Sequence, residues 1–424
     1  MRNWQPMVRC VGVVAAITAI AGCTTQGQAT SESAASGQTS EPSVDVAALD
    51  TGNYPTDPRP AFGKATQDNI LQVEGQRMAQ FVVVPFEIDE DLTNANLPTM
   101  VITGQNSLGP VFPADIAKVP ANKNMLMGFV GTAATPDEKL RTGAKSVSNM
   151  VLRYATAGDA AAAARQMADA TAASDKVRTT TLPGLPDTHV VRTNSGGNSQ
   201  MMAFTAHNTY VLYQWYETPP TQQVLQEPTI RKAIALQTAL IDKFPATPTK
   251  NEAKARGITG SSAPVIDQNH VLIYALPYSD EDLKKGQNLA LPGASIRAVY
   301  GPRGMAQMSG DPKTDFTLLT DVGSTANAVE KSTVYRATAA DGAKKIVDTS
   351  LASNRSQGWA DAPSPAGLPI AKCQSKTLES GTWYLCYVQK GRYVGTYSAP
   401  NPKDVQQAIS AQYVILTKAD QNAN

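Results

Sequence analysis

The residues best suited to chemistry stand near the start of the chain, in Ile20-Ala21-Gly22-Cys23. An aliphatic residue, two small residues and a cysteine make the bacterial lipobox pattern: small side chains let a peptidase close on the backbone, and the thiol accepts lipid. Arg2 and Arg9 precede an apolar run from Val11 to Ala21, broken only by Gly12 and Thr18. A membrane span needs about 20 apolar residues, so this shorter run reads as a signal peptide over 1–22. The expected product is extracytoplasmic, held at the outer face of the cytoplasmic membrane by lipid on Cys23. Each buried methylene contributes only about 0.8 kcal/mol, so the two or three acyl chains of a lipoprotein are what make such an anchor firm.

Elsewhere the chemistry is sparse. The three histidines fall in a strand (His189), a turn (His207) and the entrance to a strand expected at 271–276 (His270). There is no His-Glu-x-x-His, Cys-x-x-Cys, Gly-x-Ser-x-Gly, P-loop or dinucleotide fingerprint, so no catalytic residue, metal site or cofactor is assigned. The clusters Glu87-Ile88-Asp89-Glu90-Asp91 and Asp280-Glu281-Asp282 read as solvated helix starts, where acids favour the helix dipole. The alternative is a carboxylate pair drawn from Asp89, Asp91, Asp280 and Asp282, serving hydrolysis or transfer on envelope glycans. Aromatic residues on strands supply the candidates for facing a ligand: Tyr213, Trp215, Trp383 and Tyr397. Val299-Tyr300-Gly301-Pro302-Arg303-Gly304 reads as a surface turn whose Arg303 is a candidate for meeting an anionic head group. The 37 basic side chains become 35 once Arg2 and Arg9 are removed, against 36 acidic ones. No basic stripe exists, which argues against a nucleic-acid partner.

These residues need elements to hold them. Residues 24 to 43 carry no aromatic and no large aliphatic side chain, so a flexible tether is expected over 23–60, ending in Pro-rich extended chain. The roughly 365 residues beyond it predict two domains, 61–250 and 251–424. An internal repeat supports that division. Gly184-Leu185-Pro186 matches Gly367-Leu368-Pro369, and Tyr210-Val211 matches Tyr393-Val394, at one offset of 183. Ala155 to Asp159 matches Ala337 to Asp341, Pro85-Phe86 echoes Pro277-Tyr278, and Ala233, Ile234 and Gln237 match Ala408, Ile409 and Gln412, in the same order. The repeat spans roughly 75–245 and 265–418.

Each copy predicts an α+β unit of order β-α-β-β-β-α, an antiparallel sheet with its helices on one face. The strand lies near 150–155 or 332–337, and the helix starts near Asp159 or Asp341. In the second copy Ala343, Ile346, Val347 and Leu351 share one face of that helix. Hairpins turn at Gly196-Gly197 and Glu379-Ser380, then at His207-Asn208 and Lys390-Gly391, where Asn and Gly tolerate positive φ. A final helix covers 229–244 or 402–416. Cys10 leaves with the signal and Cys23 takes lipid, so Cys373 and Cys386 remain, symmetric about the hairpin centre. They should face each other across adjacent strands and form a disulfide, as Val190 and Ala203 face each other in the first copy.

Leu49 to Thr56, Gln76-Arg77-Met78-Ala79, Gly391-Arg392-Tyr393-Val394 and Ala411-Gln412-Tyr413 resemble a family of lipoproteins with a domain of unknown function from mycolic-acid-containing actinobacteria, of mycobacterial and nocardial type. The resemblance covers most of the chain beyond Cys23. It implies a cell-envelope setting and carries over no catalytic residues. The expected function is a non-enzymatic, membrane-anchored binding or accessory module for an envelope lipid, glycolipid or partner protein, with a cleft between the two units as its natural site. A purely structural spacer is the remaining reading.

Overall fold

The computed structural model describes residues 43–96, 98–136, 143–279 and 297–422. Cys23, the signal peptide and the acidic cluster 280–282 lie outside them. The first unit opens with helices α1 (Ile70–Ala79) and α2 (Pro85–Ile88), strands β1 (Asn94–Ala95) and β2 (Met100–Ile102), and the single turn α3 (Ala114–Ala117). It continues through β3 (Met125–Ala134), β4 (Ser146–Tyr154) and α4 (Ala157–Ser174). Strands β5 (Thr180–Leu182), β6 (Leu185–Ser195), β7 (Asn198–His207) and β8 (Tyr210–Thr218) lead to α5 (Gln226–Ile241). Helix α6 (Lys250–Ala255) begins the passage to the second unit.

There β9 (Ala298–Tyr300), α7 (Pro302–Gln307) and α8 (Pro312–Asp321) precede β10 (Asn327–Val329), β11 (Thr333–Arg336) and α9 (Ala340–Ser356). Strands β12 (Ala360–Ala362), β13 (Lys372–Leu378), β14 (Gly381–Lys390) and β15 (Tyr393–Ala399) lead to α10 (Pro402–Thr417). The two antiparallel sheets run in corresponding order, β1-β3-β4-β8-β7-β6-β5 with β2 also on β3, and β9-β10-β11-β15-β14-β13-β12.

The fold is α+β in two tandem units, as expected. Gly184 and Gly367 both turn with φ +76°, and Asn208 and Gly391 supply positive φ at matching tight turns. Those turns sit one residue later than expected, since His207 pairs with Tyr210 and Lys390 with Tyr393. Each unit also has a short strand, β5 or β12, that the sequence reading omitted. At three residues each, these edge strands are too brief to leave a periodic pattern.

The helices differ from expectation in one respect: they cover both faces of each sheet. Val211 and Tyr213 point into the cluster packed by α4, whereas Leu212 and Tyr216 join clusters packed by α5. In the second unit, Tyr387 and Val394 meet Ala343, Ile346, Val347 and Leu351 of α9, while Val388 and Tyr393 meet α10. Strands that are apolar at consecutive positions bury both sides, so each sheet needs a layer above and a layer below.

A buried glutamine in the last helix of each unit ties a distant segment of the chain to the sheet. Gln237 donates to the Phe81 carbonyl (2.8 Å) and accepts from Val83 N and from Asn149 Nδ2 of β4 (2.9 and 2.8 Å). Gln412 donates to the Tyr274 carbonyl (2.9 Å) and accepts from the Ser332 hydroxyl just before β11 (2.5 Å). Both glutamines are fully buried. The matching donors and acceptors explain why a polar residue repeats on an otherwise apolar helix face. Residues 272–274 are thus a 3-10 turn clamped by Gln412, and the strand expected at 271–276 does not form.

Residues 43–62, whose first part was read as tether, pack against the second unit instead. Leu49 is buried in its core, and the Tyr54 hydroxyl donates to Asp404 (2.7 Å). Arg59 pairs with buried Glu330 (2.5 Å) and donates to the Leu272 carbonyl (2.7 Å). Phe62 lies under both Arg59 and Arg297, 5.0 and 5.1 Å from its ring centre. These anchoring side chains are what residues 24 to 43 lack.

Candidate functional site

Three concavities among the described residues are candidate sites. The first, about 580 Å³, lies where the units meet, between α1 and the segment formed by β9, α7 and α8. Its walls are cross-braced. Gln80, the residue that caps the end of α1, accepts from the backbone N–H of Arg303 and of Gly304 (2.9 and 3.2 Å), and Gln307 donates to the Val82 carbonyl (2.9 Å). Gly131 of β3 faces Gln307 so closely that a Cβ there would fall 2.2 Å from its Oε1. Arg303 ion-pairs with Glu87 and lies over Phe316 at 4.7 Å. The expected surface turn at 299–304 is therefore a strand end and helix start packed between units. A residue that binds its own protein's carboxylate so directly serves the junction first.

The second concavity is larger and more apolar. It runs between α1 and α6, about 750 Å³, floored by Leu126 and Met127 at the start of β3. Ile70 and Leu71 of α1 form one wall, and Ile258 the other. Leu71 and Ile258 are 37% and 42% exposed, two of only a few large aliphatic side chains so open among the described residues. Arg153, beneath them, is held by the Thr247 carbonyl and Glu252 (2.7 and 3.1 Å). Lys250 and Lys254 of α6 stand on the rim without an ion pair to a described residue. Thr249 and Glu252 form a reciprocal cap that fixes the start of α6 and hence both lysines.

The third, about 360 Å³, lies on the first sheet beyond the end of α4 and is lined by Tyr213 and Trp215. The five candidate ligand-facing residues thus part company. Tyr213 is almost wholly buried, its ring against Phe112 (4.8 Å) and Phe204 (4.9 Å), and burial pushes its hydroxyl well above the usual tyrosine value. Trp215 is half-buried beside it. Trp383 lies near the tip of the β13–β14 hairpin, opposite Lys376. Tyr397 is buried under residue Tyr54 and donates to Asp404 (2.9 Å). Arg303 belongs to the junction. The apolar groove and its lysines escaped the sequence reading because Leu71, Leu126 and Ile258 lie far apart in the chain; only the fold brings them together.

The acidic cluster at 87–91 is not a solvated helix start. Glu87 sits in the first turn of α2, but Asp89 and Asp91 lie past its end and share Lys145, at 2.7 and 2.9 Å. Burial works to raise Asp89, yet hydrogen bonds from Lys145 and Tyr216 outweigh it and hold the carboxyl below its ordinary value of 3.8. That shift is the opposite of the one a glycosidic acid needs, and both carboxylates are taken up by Lys145. His207 accepts or donates a hydrogen bond with Asp242 (2.7 Å) at the end of β7, and His270 adopts positive φ before the 3-10 turn. The pair Cys373 and Cys386 stands in direct register across β13 and β14 and is bonded, with Cα atoms 4.1 Å apart; Val190 and Ala203 occupy the same register in the first sheet. No helix among the described residues is long and apolar enough to cross a membrane.

Residues 61–256 match the family model described as "Domain of unknown function (DUF7373) N-terminal", and residues 283–419 match "Domain of unknown function (DUF7373) C-terminal". No curated protein matches the chain. Among solved structures, the extracellular domain of PknH from Mycobacterium tuberculosis is similar at 12% identity, over 42% of this chain and 98% of that one, with a TM-score of 0.28.

Proposed function

We propose that this chain, which belongs to the DUF7373 family through both its units, is a lipid-anchored extracytoplasmic lipoprotein that binds an anionic amphiphile of the cell envelope and performs no reaction on it. The observation that carries this reading is the groove between α1 and α6, open to solvent yet walled by Ile70, Leu71, Leu126 and Ile258. Apolar walls left in water are unfavourable, and large exposed patches of this kind mark binding sites. Lys250 and Lys254 at the rim supply the complementary charge for a phosphate or carboxylate head. The actinobacterial envelope setting rests on the motif resemblance given above. Placement outside the cytoplasm is supported by the lipobox before Cys23 and by a disulfide, a bond that persists in oxidising compartments.

Two experiments test it. Protein purified from its native membrane should release a stoichiometric amphiphile into organic solvent, read by mass spectrometry, and Leu71→Asp with Ile258→Asp should lose it while keeping the native circular dichroism. Wild-type protein that yields no lipid, or a variant that keeps it, sinks the binding reading. Separately, Cys23→Ala should move the protein from the membrane pellet to the soluble fraction. If that variant still sediments with the bilayer, the anchor is wrong whatever the groove holds.

A further inference from the structure

The pocket beyond the end of α4 is built on a row of side chains that the strand registers place on one sheet face. Thr132 of β3 pairs with Ser148 of β4, Ser148 pairs with Trp215 of β8, and Trp215 pairs with Met202 of β7. All four line the pocket. Along one edge of this floor lies Gln200 of β7, which donates to Glu217 of β8 (2.6 Å). At the opposite lip the last turn of α4 contributes Thr171, Ser174 and Asp175. Phe112 and Ile116 close the apolar side.

The fold does not require this row. The second unit completes the same sheet path with β10 and β11 of three and four residues, where β3 and β4 have ten and nine. Leu152 pairs with Val211 and Tyr335 with Val394, so the two sheets superpose at an offset of 183. At that offset Ser148 corresponds to Lys331, which precedes β11, and Trp215 to Ser398. The first unit has therefore lengthened β3 and β4 beside β8, and the added length sets Ser148 and Thr132 next to the partly buried indole of Trp215.

The chemistry of the row is particular. An aromatic face packs against the C–H face of a pyranose ring, and hydroxyl, amide and carboxylate groups around it exchange hydrogen bonds with ring hydroxyls. Trp215 is such a platform. Ser148 and Thr132 are already 3.0 Å apart, and Thr132 donates onward to the Pro98 carbonyl (2.7 Å), so this pair is oriented before a ligand arrives. Asp175, exposed at the C-terminal cap of α4, can accept from two neighbouring hydroxyls at once through charge-assisted bonds. The pocket's net charge is negative and it holds no lysine or arginine, which turns away anionic ligands. We infer that this pocket is a subsite for a neutral pyranose, with Trp215 as the stacking platform and Asp175, Ser148 and Gln200 as its hydrogen-bonding partners.

The test uses the full purified chain with ¹⁵N-labelled tryptophan, titrated with methyl pyranosides of glucose, galactose and mannose and with their disaccharides. At least one sugar should shift the Trp215 indole resonance saturably while Trp359 and Trp383 stay in place. Asp175→Asn removes the charge from an exposed residue that no core contains, and it should weaken that sugar by about tenfold, the worth of one charge-assisted bond. Trp215→Leu should abolish binding. Should no sugar move the Trp215 signal, or should Asp175→Asn bind as tightly as wild type, the subsite assignment is overturned. Because the readout is one indole on the first sheet, its failure leaves the groove between α1 and α6 untouched.

Discussion

Glu330→Gln is expected to lower the unfolding free energy of the second unit by about 3 kcal/mol, near the lower end for breaking a buried ion pair. The Glu330 side chain is 1% exposed and meets Arg59 at 2.5 Å and Arg297 at 3.2 Å. Removing its charge leaves Arg59, itself 17% exposed, with no counter-ion and little water. Arg297 is 45% exposed and can be resolvated, which holds the loss at that lower end. Urea unfolding measures the loss, and a protease of broad specificity such as proteinase K should cut between residues 43 and 62 sooner in the variant. The double substitution Arg59→Met with Glu330→Leu should recover most of the stability, because apolar groups of similar volume replace a buried pair at little cost. A loss under about 1 kcal/mol would put the pair in the class of surface bridges, and the docking of residues 43–62 would have to come from Leu49, Tyr54 and Phe62 instead.

Opening the disulfide should cost a similar amount by a different route. Cys373 and Cys386 are 13 residues apart, and a loop near that length contributes about 3 kcal/mol in the chain-entropy view of cross-links. Both cysteines are buried in the core packed by α10. Cys373→Val with Cys386→Ala installs the pair that the first sheet uses at the same register, Val190 and Ala203, both fully buried there. That variant should fold with an unchanged sheet and unfold at lower urea than oxidised wild type. Its transition should also stop responding to reductant. Wild-type protein whose midpoint is the same with and without reductant would falsify the claim that the bond stabilises this hairpin.

The cross-strand cysteine pair shows how far residue order can reach. Its register followed from symmetry about a two-residue turn, because strand pairing in a hairpin is fixed once the turn is placed. The repeat was legible for a related reason: Gly184 and Gly367 need positive φ, and Asn208 and Gly391 need it too, so the same backbone demand leaves similar residues at both places. The apolar face of α9 was equally plain, since its four buried residues follow helical spacing.

Other features were hidden because their cause is contact between distant segments. Arg303 looked free until the end of α1 supplied Gln80 and α2 supplied Glu87. Asp89 and Asp91 looked solvated until Lys145 and Tyr216 came down upon them. Gln237 and Gln412 were legible only as matching positions of the repeat, and their role follows from carbonyls more than a hundred residues away.

Taken alone, the chain's order of residues determined the two-unit plan, the disulfide partners and, to within a residue, the hairpin turns, all of which depend on neighbours or on one short connection. Which arginines are paired, which aromatics are covered, where helices lie on both sides of a sheet and where apolar walls stay open were decided only in three dimensions. Local backbone preference is written residue by residue, whereas burial and charge pairing depend on what the rest of the chain brings alongside.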